Sequence, residues 1–106
     1  MRRVTSQIGE VDLLDRAEEL TLRALRLVRR GEQRRASLIL REATALDESN
    51  APRWMIHAHL LIQLGQRDDA ERAMKQSLFL RERRGEKAKA NVIRRLLLNL
   101  AACAGR

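Results

Sequence analysis

APRWMIHAHLLIQLGQRDDAERAMKQSLFL, from Ala51 to Leu80, reads as two helices joined by a tight turn at Gly65. Shifted back by 34 residues, it lies on AEELTLRALRLVRRGEQRRASLILREATAL, from Ala17 to Leu46. Ala58 then falls on Ala24, Leu61 on Leu27, Gly65 on Gly31, Ala70 on Ala36 and Leu80 on Leu46. Trp54 falls on Leu20 and Met74 on Leu40, apolar on apolar. A repeat of this length, with small and large residues held in fixed slots, marks an array of helix–turn–helix units.

Outward from this stretch the same periodicity continues. Leu13, Ala17, Leu20, Ala24 and Leu27 recur at helical spacing, with Leu14, Leu25 and Val28 widening the stripe. Asp12 is read as the cap of this first helix, which leaves 1–11 as a mobile tail. Gly31 ends it, where a left-handed residue costs little. A second helix follows from about Gln33 to Leu46, and the polar turn Asp47-Glu48-Ser49-Asn50 leads to a third, with Pro52 in its first turn. Asp68 and Asp69 open a fourth on its positive end. A basic break from Arg81 to Gly85 precedes a fifth helix over about 86–103, whose apolar side carries Val92, Ile93, Leu96, Leu97, Leu100 and Ala104. The 34-residue shift puts Arg95 where Leu27 and Leu61 sit, so this last helix is read as an atypical cap. The expectation is one all-α domain over 12–104, of about five helices: repeat 1 at 17–50, repeat 2 at 51–84, and a capping helix.

Composition agrees with that class and narrows the chemistry. In 106 residues, 34% are charged and the only aromatics are Trp54 and Phe79, so Leu and Ala must build the core. The net charge of +8 is compatible with nucleic acid, an anionic membrane or an acidic protein. Most of the basic residues alternate with Glu and Asp, as on an ordinary solvated helix face. Two clusters stand out: Arg23, Arg26, Arg29, Arg30, Arg34 and Arg35 around the first turn, and Arg81, Arg83, Arg84, Lys87 and Lys89 after the fourth helix. Cys103 stands alone, which excludes an internal disulfide and favours a small apolar filler. MRRVTSQIGEVD has no apolar run behind its arginines, so neither a secretory signal nor a membrane span is expected, and a cytoplasmic location follows by default.

His57 and His59 are two apart and point to different helix faces, whereas a chelating pair stands three or four apart. No metal site is expected. No phosphate loop, nucleophile–base pair or paired carboxylate stands out, so neither an enzyme nor a cofactor is expected.

The slots resemble the tetratricopeptide repeat (TPR) family. That motif places a large, a small and a large residue in the first helix, then Ala and a large residue in the second. Trp54, Ala58, Leu61, Ala70 and Met74 fill them here, and Leu20, Ala24, Leu27, Ala36 and Leu40 in the first copy. The proline usual near the repeat's end is replaced by Glu48 and Glu82, and His57 and Arg23 occupy a slot usually apolar. The resemblance implies an antiparallel helix-pair repeat, a TPR-like α-solenoid of two repeats plus a C-terminal capping helix. It further implies a binding module whose first helices line a concave face for a peptide or a partner's amphipathic helix. Carried onto this chain, the groove residues are Thr21, Leu25, Val28, Arg29, Met55, His59, Ile62 and Gln63, extended by Ile93 and Leu97. One branch of the family grips acidic chaperone tails with a Lys/Asn/Arg clamp. Thr21, Leu25 and Ile56 stand at those positions, so that ligand is not expected. An adaptor or chaperone-like protein with a protein partner, in part acidic, is the first reading. The alternatives are a basic nucleic-acid-binding accessory and a structural homo-oligomer.

Overall fold

A computed structural model describes residues 2–104, and the side chains of 11–103. Five helices follow one another: α1 (Arg2–Arg29), α2 (Gln33–Leu46), α3 (Ala51–Gln63), α4 (Arg67–Arg83) and α5 (Lys87–Ala104). Residue contacts fall into two compact units, one ending at Glu48 and the other beginning at Ser49.

In the first unit α1 and α2 pack as a hairpin. The turn is closed at Gly31, where the Glu32 N–H donates to the Leu27 carbonyl at 2.9 Å and the Gly31 N–H to the Val28 carbonyl at 2.9 Å. This is the double hydrogen bond of a Schellman C-cap, which satisfies carbonyls the helix would otherwise leave open. Ala17, Leu20, Ala24 and Leu27 are buried on α1, and Ala36, Leu40 and Ala43 on α2. Ala24 and Ala36 are fully enclosed. A larger side chain at either would overpack by about 1–3 kcal/mol.

The start of α1 departs from the expectation. The helix begins at Arg2, so Asp12 lies inside it and caps nothing. At 1.5 Å per residue α1 is about 42 Å long and α2 about 21 Å. α2 therefore runs back along only half of α1. Leu13, assigned to the buried stripe, is 46% exposed for that reason, and Ala17 is the first buried residue among the described side chains.

The second unit holds α3, α4 and α5. Asn50 caps α3, its Oδ1 accepting from the Arg53 N–H at 2.9 Å. The α3–α4 turn repeats the first, with Gln66 N–H donating to Leu61 O at 2.8 Å and Gly65 N–H to Ile62 O at 3.0 Å. Ala58, Leu61, Ala70, Ala73, Met74 and Ile93 form one interior cluster. Trp54, Met55, Ile62, Leu78, Leu97 and Leu100 lean on it. Ser77 is buried and its hydroxyl donates to the Ala51 carbonyl at 3.0 Å, tying α4 to the start of α3.

The α4–α5 connection is a third copy of the same turn. Glu86 N–H donates to Arg81 O at 3.0 Å and Gly85 N–H to Glu82 O at 3.0 Å. Ala90 then takes the place of Ala36 and Ala70, five residues after the glycine, and is 1% exposed. The counterpart of Leu27 and Leu61 is thus Arg81, not Arg95. Arg81 fills a leucine's slot by laying its stem along the helix and pairing its guanidinium with Glu86 at 2.8 Å. Lys89 joins Glu86 at 3.2 Å. Burial pushes the Glu86 carboxyl up, but the Lys89 hydrogen bond and the charges of Arg81 and Lys89 outweigh it, so its pKa lies below the ordinary 4.5.

Two outcomes follow from these turns. A Cβ at Gly65 would meet nothing within 4 Å, yet its φ of +77° lies in the left-handed region. Gly65→Ala is therefore expected to lower stability in urea denaturation by about 1–2 kcal/mol from backbone strain alone, with Gly65→Asn costing less. Glu86 has a depressed folded pKa, so its stabilisation is present above the unfolded value and lost as pH falls through the folded one. Glu86→Gln should be less stable than the parent at neutral pH. The gap should hold down to about pH 4.5 and close below it, read from thermal midpoints across pH.

Candidate functional site

On α1 a 3.6-residue period places Val11, Leu14, Glu18, Leu22, Leu25 and Arg29 on one face. Val11, Leu14 and Leu22 are 55%, 49% and 48% exposed. Leu25 and Val28 are half-buried and Arg29 is exposed, at the edge of the same stripe. Thr21, predicted as a contact, is buried instead. Its hydroxyl donates to the Ala17 carbonyl at 2.7 Å, back-bonding into its own helix.

In the second unit Met55, His59 and Ile62 share a face of α3, with Gln63 beside them. His59 and Gln63 are exposed, with their Nε2 atoms 3.4 Å apart. Met55 and Ile62 are half-buried, because their inner sides rest on the interior cluster. Leu97 does the same from α5. Ile93 does not extend any surface: it is 3% exposed and part of that cluster. The apolar residues α5 offers to solvent are Val92, Leu96 and Leu98, which sequence slots did not single out as contacts. Cys103 is exposed, so it fills no core.

The remaining side chains of interest are structural. Trp54 leans on the core with its ring centroid 6.5 Å from that of the buried His57. Phe79 is half exposed under the guanidinium of Arg83, 5.5 Å from the ring centre. Among the described residues no group of three or more His, Cys, Asp or Glu is placed to hold a metal ion. No helix among them is long and apolar enough to cross a membrane.

The two helix-hairpin turns differ in charge. A cavity of about 250 Å³ at the α1–α2 turn is lined by Arg23, Arg26, Leu27, Arg30 and Arg35. At the α3–α4 turn the lining is Gly65, Gln66, Arg67, Asp68, Asp69 and Arg72, around about 390 Å³. There the Asp69 carboxylate is tied to Arg72. A third cavity, of about 340 Å³, lies at the α4–α5 turn, where Glu82 and Arg94 pair at 2.8 Å.

No family model matches this sequence, and no curated protein matches it. A solved structure is similar: the second TPR of Spaghetti (RPAP3) bound to the HSP90 peptide SRMEEVD. The TM-score is 0.66 at 19% identity, over 88% of this chain and 86% of that one. Identity that low speaks to the fold alone, and the fold is a TPR-like all-α helical repeat of five helices.

Proposed function

We propose that this chain is a protein-interaction module, adaptor or chaperone-like, that takes up an apolar helical segment of another protein. Contacts on α1 come from Leu14, Leu22, Leu25, Val28 and Arg29. Contacts on α3 come from Met55, His59, Ile62 and Gln63, with Leu97 on α5. The neighbour of like fold was solved holding a peptide, which supports a protein as the partner class.

The observation that carries this reading is the exposed apolar stripe of α1. Val11, Leu14 and Leu22 stand about half out of water on one helix face. A repeating line of that kind fits the apolar face of a partner helix. Fully burying a leucine is worth about 1.5–3 kcal/mol, so three half-exposed side chains offer on the order of 3 kcal/mol. A micromolar complex needs about 8 kcal/mol. These three side chains alone fall short, so the other proposed contacts on α1, α3 and α5, apolar and polar, must supply the difference.

Val11→Glu with Leu14→Glu changes two side chains that stand about half out of water, N-terminal to the buried Ala17. This double variant should keep its far-ultraviolet circular dichroism and lose capture of the native partner from its own cells. His59→Glu with Gln63→Glu should weaken capture in the same way. An unchanged set of captured proteins in both variants would end the proposal.

A further inference from the structure

The α1–α2 turn carries a concentration of positive charge that its own unit does not neutralise. Arg23 and Arg26 on α1 and Arg30 just past its end stand at i, i+3 and i+7, all exposed, around one cavity with Arg35. Among the described residues Arg35 alone of these has an ion-pair partner, Glu32 at 2.8 Å. Like charges at this spacing repel one another and weaken the helix that carries them. The helix start adds to the field. α2 has no acidic residue in its first turn, and Glu32 at its N-cap makes no side-chain cap bond.

The second unit is an internal control, since its hairpin turn has the same hydrogen bonds at 34 residues' offset. Arg34 and Arg35 correspond to Asp68 and Asp69, which supply negative charge to the start of α4. Arg23, Arg26 and Arg30 correspond to His57, Leu60 and Leu64. Leu38, 63% exposed, corresponds to Arg72, the partner of Asp69. The same backbone turn thus carries acids and the Asp69–Arg72 pair in one copy, and mostly arginines in the other. Apolar residues stand one helical turn from three of the arginines at this corner. Leu22 precedes Arg26 by four, and Leu38 follows Arg35 by three and Arg34 by four.

We infer that the corner formed by Arg23, Arg26, Arg30 and Arg35 binds clustered carboxylates of an acidic protein segment that also carries an apolar residue. Guanidinium forks pair with carboxylates bidentately, and several arginines around one cavity favour adjacent acids over a lone one. Leu22 and Leu38 give the apolar residue a place to rest. Nucleic acid fits less well. Both aromatic residues, Trp54 and Phe79, lie in the other unit, so this unit supplies no ring of its own on which a base can stack. The inference rests on the reading of the chain as a protein-interaction module and adds a second contact surface to it.

The test is fluorescence anisotropy with the full chain and a labelled hexapeptide Glu-Glu-Leu-Glu-Glu-Leu at physiological salt. A Gln-for-Glu peptide and a single-stranded DNA of equal charge serve as controls. The acidic peptide should bind and the Gln peptide should not. Arg26→Glu with Arg30→Glu should weaken binding about tenfold or more, as expected for loss of central arginines. Lys87→Glu with Arg95→Glu makes the same charge change at residues that do not line this cavity and should weaken it less than about threefold, as an exposed screened charge does. No binding by the parent chain, equal loss in both double variants, or DNA bound as tightly with the same sensitivity would each overturn the assignment. Val11→Glu with Leu14→Glu separates the two readings. Peptide affinity kept in that variant supports a distinct corner, and a parent chain that captures its partner yet ignores the peptide refutes the corner alone.

Discussion

The chain depends on a turn that only glycine makes cheaply. At Gly31, Gly65 and Gly85 the backbone takes a φ of +80°, +77° and +71°, and each helix there closes with the same pair of hydrogen bonds. Closing the helix end in this way reverses the chain within two residues. The next helix must then run back against the last, which brings Ala36 and Ala70 into the core five residues later. Alanine is required where helices approach closely, and leucine fills most of the remaining core in a protein this poor in aromatics. The turns therefore set the packing, and the packing decides which residues are left outside.

Much of this was legible because its cause is local. A left-handed glycine, a helical stripe and an alanine five residues on lie within one short window, and GEQRRA and GQRDDA display all of it. The third copy, GEKAKA at 85–90, carries the same signal and was missed. A fixed 34-residue shift looks for it fourteen residues too late, at 99 rather than 85. The turn follows α4 directly because the unit closes with a single helix instead of a further hairpin. Searching for the turn itself, rather than the period, would have found it.

The misplaced residues share another cause: their position depends on how far a neighbouring helix reaches. Leu13 and Leu14 have the periodicity of core residues, but α2 is too short to cover them. Ile93 has the periodicity of a surface contact by the shifted register and is interior by the real one. Thr21 fits an inner-face slot, yet a hydroxyl one turn from a carbonyl prefers that carbonyl. Sequence spacing fixes the angle of a side chain about its helix. It does not fix the length of the helix lying opposite.

Charge is where the two hairpins part company. Their backbones follow the same hydrogen-bond pattern, so the fold places no demand on the sign of the residues that open the second helix. One copy uses that freedom to complement its helix start with Asp68 and Asp69, the arrangement that favours stability. The other sets Arg34 and Arg35 against a positive helix end and adds Arg23, Arg26 and Arg30 beside it. Arg26 and Arg29 complement the negative end of α1, and Arg35 pairs with Glu32, but Arg34 and Arg35 face the positive start of α2. The apolar stripe of α1, by the estimate above, falls well short of the free energy of a useful complex. A corner whose unpaired arginines gain partners when carboxylates arrive would supply part of what is missing. Such a corner would also make the interaction selective, because a neutral apolar helix could satisfy the stripe and leave the arginines unpaired.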